Sequence, residues 1–201
     1  MIAKLSAGTI LALLISAGCA GCAATKPARF YTLDAIATPS GQPPTNVSIM
    51  VGPVSVPASD DRLEFVVQLA SNRVEVDEFN RWAAPLSDGI AQAVAGDLAA
   101  ALGTPQVASA PLANFKPAYR VTINVQRFDS SPGRQVTFDA VWVVSRSAND
   151  RVRSGRTTST ESVQDTSYEA LAAAHSRAIA RMSGDIAAVI RAEEESSATK
   201  S

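Results

Sequence analysis

The sequence is short of cysteine, histidine and charge, and each shortage removes a class of function. Its two cysteines, Cys19 and Cys22, both fall in the first 22 residues, and no thiol follows them. A Cys-x-x-Cys pair can serve redox chemistry or half of a metal site. This one follows an apolar run outside any β-α-β pattern, has no second pair, and lies far from the single histidine, His175. No metal site or metal cofactor is expected. Charged residues make up 18% of the chain and the formal net charge is −1, with no run of lysine or arginine. Arg151, Arg153 and Arg156 form only a short basic patch. Nucleic-acid binders concentrate positive charge because phosphate contacts and counterion release supply their affinity, so no nucleic-acid partner is expected. Gly-rich phosphate loops and the G-x-S-x-G elbow are missing too. Ser197 and Lys200 match S-x-x-K, but in a terminal stretch where nothing would hold a nucleophile in place. No catalytic residue and no cofactor are assigned.

What is present begins with an address. A positive start at Met1–Lys4 leads into Ala7–Gly18, an uncharged stretch of apolar and small residues. A membrane span needs about 20 apolar residues. This run is shorter and matches the apolar part of a secretory signal. Small residues Ser16-Ala17-Gly18 run directly into Cys19, as in the lipobox of bacterial lipoproteins, where the cysteine is acylated and becomes the first residue. Cys22 after Ala20-Gly21 is the rival site. No later stretch is apolar enough to span a bilayer, so the exported chain is expected to carry an acyl anchor, palmitate included, instead of a transmembrane helix. His175 is expected to be a hydrogen-bonded core residue.

Apolar residues make up 46% of the chain, enough for one core without staples. Strand composition marks Arg29–Leu33 and Val47–Val56, the latter interrupted by a bulge or edge position at Gly52-Pro53. Residues 64–69 and 73–79 alternate around a turn at Ser71-Asn72. A helical stripe follows at Leu86, Ile90, Val94, Leu98 and Leu102, with Pro85 at its start and Gly103 at its end. Trp82 is expected to plug the entry to this helix, with Arg81 bonded to nearby backbone or an acid. Tyr119, Val121, Ile123 and Val125 alternate with polar residues, and a partner strand presents Val136, Phe138, Ala140, Trp142 and Val144. Residues 152–163 add a polar third strand beyond a turn at Ala148-Asn149-Asp150. A long helix follows Thr166 and Glu169, spaced as a capping box, with its stripe running from Tyr168 to Ile190.

The organisation is then a signal peptide over 1–18, a lipidated tether over 19–28, one periplasmic domain over 29–192 and a polar tail over 193–201 that frays. Strands and helices do not alternate regularly, which predicts an α+β fold: a largely antiparallel sheet with two helices packed on one face. The polar strand at 152–163 is the candidate partner-binding edge, with Arg151, Arg153, Arg156 and Thr158 as its contact residues.

Several short motifs also fall in a familiar order. Arg29-Phe30-Tyr31-Thr32-Leu33 follows the cysteine; Val51–Pro57 and Asn80–Leu86 come next; Tyr119-Arg120-Val121, Arg127-Phe128-Asp129 and Tyr168-Glu169-Ala170-Leu171 complete the set. Together they resemble the ABC-type transport auxiliary lipoproteins, the group that contains the paraquat-inducible lipoprotein. Asp61–Phe65 and Ala84 depart from the group's usual pattern. The resemblance implies a lipoprotein of the Gram-negative outer membrane, on its periplasmic face, without catalytic residues. It implies partners too: an MCE-domain protein and an ABC transporter that move lipids or other hydrophobic molecules between membranes, with a homo-oligomeric ring of subunits also open. Two other readings compete, a lipoprotein that carries a hydrophobic ligand in its own cavity and a periplasmic hydrolase.

Overall fold

A computed structural model describes residues 26–149 and 151–199, so Cys19, Cys22 and the signal and lipidation assignments lie outside the described residues. The described residues form eight strands and two long helices. They are β1 (Arg29–Tyr31), β2 (Ile49–Ser55), β3 (Glu64–Ala70), β4 (Arg73–Trp82), α1 (Leu86–Leu102), β5 (Val107–Ala108), β6 (Tyr119–Ser131), β7 (Gln135–Arg146), β8 (Arg151–Ser162) and α2 (Tyr168–Ala198).

The α+β class is as expected, with two helices against mostly antiparallel pairing. The strands, however, divide into two sheets, ordered β1-β4-β3 and β5-β2-β6-β7-β8. The pairs β1–β4, β2–β5 and β2–β6 are parallel. The reason lies in α1. It returns the chain between β2 and β6 as a crossover does, with the β3–β4 hairpin inserted ahead of it, and a crossover sets parallel neighbours. A register shift between Val51 and Val54 marks the bulge foreseen at Gly52-Pro53.

The large sheet is two-faced. Tyr119, Val121, Ile123, Phe138, Ala140 and Trp142 are buried under the helices, while Arg120, Asn124 and Val141 face outwards. All five stripe residues of α1 are buried, and Gly103 ends that helix in a left-handed conformation. At the start of α2 the cap differs from the expected box by one residue. Ser167, with extended backbone, accepts the Ala170 amide at 3.1 Å, and Asp165 accepts the Ser167 amide at 2.7 Å. The helix also does not fray at 193. It continues to Ala198, and Glu193 is buried.

Aromatic rings join the two sheets. Trp82 stacks on Phe65 at 4.2 Å and meets Phe128 edge-on at 6.0 Å, while Phe128 stacks on His175 at 3.7 Å. Rings packed this way contribute beyond the area they bury.

Candidate functional site

Strand β8 closes the large sheet as its edge, because it pairs with β7 alone. The Val163 amide donates to the Arg134 carbonyl at 3.0 Å, one position beyond an unbroken antiparallel register. Amides alternate in direction along a strand, so those of Thr157, Ser159 and Glu161 point to β7. Those of Arg156, Thr158 and Thr160 point to the free side. β8 therefore presents a row of unpaired backbone donors and acceptors.

The side chains alternate as well. Thr157, Ser159 and Glu161 are buried towards α2, and Arg156, Thr158 and Thr160 lie on the open face. On the helix side, Glu161 takes Arg177 and Arg181, Thr157 donates to Asp185 at 2.6 Å, and Glu193 takes Arg151 at 3.0 Å and Arg153 at 2.6 Å. These partners recur down one side of α2, so the helix is clamped along the length of the edge strand. The Arg151 bond, followed by that of Arg153, holds the Glu193 carboxyl below the usual range against the opposing effect of burial. Gly155 sits opposite Trp142, whose ring carbon would lie 2.2 Å from an added Cβ. Only a glycine leaves room for that indole, which donates to Thr157 at 3.1 Å.

On the open face Arg156 donates to Asp139 at 2.8 Å, and Thr158 donates to the same carboxylate at 3.3 Å. The Arg156 guanidinium holds Asp139 below its ordinary value although the carboxylate is buried. The candidate residues thus form two groups and not one basic patch. Arg151 and Arg153 share Glu193 beneath the sheet; Arg156 and Thr158 share Asp139 above it. Sequence spacing could not reveal this, since Asp139 and Glu193 come from other elements.

Arg81, Trp82 and Pro85 fall together at the junction of the small sheet and α1. Trp82 is 5% exposed, Arg81 donates to Glu64 at 2.7 Å, and Pro85 occupies the N-cap position of α1. Beside them lies a network that the sequence did not suggest. Tyr31 donates to Asn80 at 2.7 Å, Asn80 donates to Asp77 at 2.8 Å, and Tyr168 donates to Asp77 at 2.8 Å. Burial alone would raise Asp77, but bonds from the Asn80 and Tyr168 side chains and from two backbone amides hold it low. The Asp77-to-Asn80 spacing was the available signal, hidden by an irregularity in the β3–β4 register.

His175 is wholly buried, and its Nε2 lies 2.8 Å from the Ser130 hydroxyl. Among the described residues no cluster of His, Cys, Asp or Glu suits a metal ion, and no helix is long and apolar enough to cross a membrane. A cleft of about 50 Å³ lies between Tyr31, Leu33, Trp82 and Leu86. Larger hollows, about 630 and 420 Å³, lie open at the surface of the small sheet and its hairpin, with charged residues in their walls.

The fold has solved counterparts. One is a crystal structure of an uncharacterized protein, 20% identical, with a TM-score of 0.68 over 82% of this chain and 99% of that one. Another is a DUF330 protein from Xanthomonas campestris, 21% identical, with a TM-score of 0.70 over 85% of this chain and 99% of that one. A search of curated proteins finds no significant match. The sequence itself matches the family model for the ABC-type transport auxiliary lipoprotein component over residues 31–187, from the Tyr31 network through most of α2. With most of the packed domain inside that match, the chain belongs to the ABC-type transport auxiliary lipoprotein component family.

Proposed function

We propose that this protein is a non-enzymatic docking subunit, held at the periplasmic face of the outer membrane by acylated Cys19. It would connect that membrane to an MCE-domain protein and an ABC transporter moving lipids or other hydrophobic molecules. The observation that carries this reading is the free backbone edge of β8. Its side-chain charges are already matched within the chain, so what it offers a partner is the row of outward amides and carbonyls. Clamped to α2, the strand is pre-organised and loses little freedom on binding. A neighbouring subunit or the MCE-domain protein would add a strand there.

The filled interior supports docking over cargo carriage. Ligand cavities usually occupy about 300–1,000 Å³. The apolar cleft beside Trp82 is about 50 Å³, the larger hollows are shallow and lined by charged side chains, and the residues between the large sheet and the helices pack as a continuous core.

The test is a proline at Thr158, where the lost amide faces outwards and the β7 ladder is spared. Thr158→Pro is expected to fold normally, to keep its acyl anchor and to lose co-purification with its partners. Full partner yield from a folded variant removes the edge from the mechanism. Labelling with a lipid precursor tests the anchor separately: incorporation should vanish in the Cys19→Ala/Cys22→Ala double variant, and persistent label would refute it.

A further inference from the structure

One face of the small sheet is buried, and the other sets exposed apolar side chains among Glu64, Gln68 and Arg81. Tyr31, Phe65 and Trp82 point into the protein, whereas Phe30, Val74 and Val76 are 63%, 57% and 38% exposed. Phe30 lies directly opposite Arg81 in the β1–β4 register. Arg81 in turn lines the 630 Å³ hollow together with Lys26, Arg62, Val76 and Phe79. Monomeric proteins rarely gather large apolar side chains on one face without a use for them.

The chain itself says what lies nearest to this face. The described residues begin at Lys26, whose ammonium sits 5.7 Å from the centre of the Phe79 ring, inside the same hollow. Lys26 follows Cys19 by seven positions. Fully extended, those seven steps reach about 25 Å at most. An anchored domain therefore keeps Lys26, and the face on which it sits, within about 25 Å of the anchor. We infer that the outer face of the small sheet rests on the phospholipid surface, with Phe30, Val74 and Val76 at the headgroup–acyl boundary. The inference rests on the reading of Cys19 as a lipid anchor.

The charges fit a weakly charged contact. In the hollow Lys26, Arg62 and Arg81 outnumber Glu64 and Glu78 by one, so only a single net positive charge favours anionic lipids. Apolar insertion is the attraction, with the lysine and arginine heads reaching back to water. Attachment of this face should then depend only weakly on salt and on the fraction of anionic lipid.

The full-length protein, made in a Gram-negative host and reconstituted in phosphatidylethanolamine/phosphatidylglycerol vesicles, provides the test. A photoreactive p-benzoylphenylalanine is placed at Val76, and in a second sample at Ser154, an exposed position on β8. Several-fold more phospholipid should be crosslinked from position 76 than from 154, with little change on raising salt. Equal crosslinking at the two positions, or crosslinking at 76 only to protein, overturns the proposal. The intact mass of the same samples reports acylation independently. An unacylated chain that still crosslinks lipid at 76 supports the membrane face while removing the anchor. An acylated chain without that crosslink removes the membrane face and leaves the anchor standing.

Discussion

The carboxylate of Glu193 receives the Arg153 guanidinium at 2.6 Å, joining the last turns of α2 to the edge strand β8. Glu193 has a side chain only 6% exposed, and Arg151 completes the pair of cations on it. Both arginines are more than a third exposed, so water and salt weaken each contact. Glu193→Ala is expected to cost about 1–2 kcal/mol in urea unfolding. Its more telling effect is local: amide exchange in residues 151–155 and beyond 190 should quicken while β6 stays protected. Uniform acceleration through all strands would show that the pair stabilises the whole domain and not the edge.

Trp82 carries the junction between the sheets. Its ring is stacked on Phe65 and closed in by Phe128 and His175. Trp82→Ala should destabilise the domain by about 3–5 kcal/mol, since the cavity left cannot collapse between three rings. Thermal unfolding measures this directly. An unchanged melting temperature with lost partner binding would place Trp82 in an interface instead.

Much of this architecture could be read from the chain. The strands β6 and β7 show long alternation, and both helices show apolar stripes that return every three or four residues; pattern and burial agree there at every stripe position but the half-buried Tyr168. What could not be read depends on meetings across the chain. β1 is three residues long and finds β4 about fifty residues later, so nothing local announced a second sheet. The polar run after residue 192 looked like a frayed tail because its partners, Arg151, Arg153 and Arg146, stand on strands far away in sequence. The same ignorance of partners made three arginines look like one basic patch. The edge strand itself was legible, since β-branched and hydroxyl residues alternate with buried threonine and serine.

His175 should govern the acid limb of stability. Burial pushes it from an ordinary value of 6.5 down to about 3 in the folded chain. A histidine so depressed contributes stability that is complete above its unfolded value and is lost as the pH falls towards the folded one. Asp77, Asp139, Glu161 and Glu193 are all held low, so their contributions persist until more acid conditions. Between about pH 6 and pH 4.5 the unfolding free energy should fall by up to roughly 1.4 kcal/mol per unit, the limit for one proton. His175→Gln, which can still bond Ser130, should flatten that slope. A variant that keeps the wild-type slope would move the effect to the carboxylates.

Asp97 supplies the last and least intuitive expectation. It is fully buried on α1, yet it binds the incoming chain: one carboxylate oxygen accepts the Ile36 and Ala37 amides, each at 2.8 Å, and the other accepts Ser183 of α2 at 3.1 Å. The neighbouring Gly96 lets this segment lie flat, because a Cβ there would meet Ala35 at 2.5 Å. Burial nonetheless outweighs these bonds and raises the Asp97 pKa. A raised carboxyl contributes stability that is present below its unfolded value and is lost as the pH rises through the folded one, so the ionised form is a burden at neutral pH. Asn keeps the oxygen that serves Ile36 and Ala37. Its amide can donate to Ser183, whose hydroxyl proton is then free to turn to the Ile179 carbonyl 3.0 Å away. Asp97→Asn should therefore unfold at equal or higher denaturant than the wild type at pH 7, and the advantage should shrink towards about pH 4 as Asp97 gains its proton. Asp97→Ala, by contrast, leaves two amides without an acceptor and should cost about 2–3 kcal/mol. If Asn proves as damaging as Ala at neutral pH, the negative charge itself holds the segment, and burial is the weaker of the two effects.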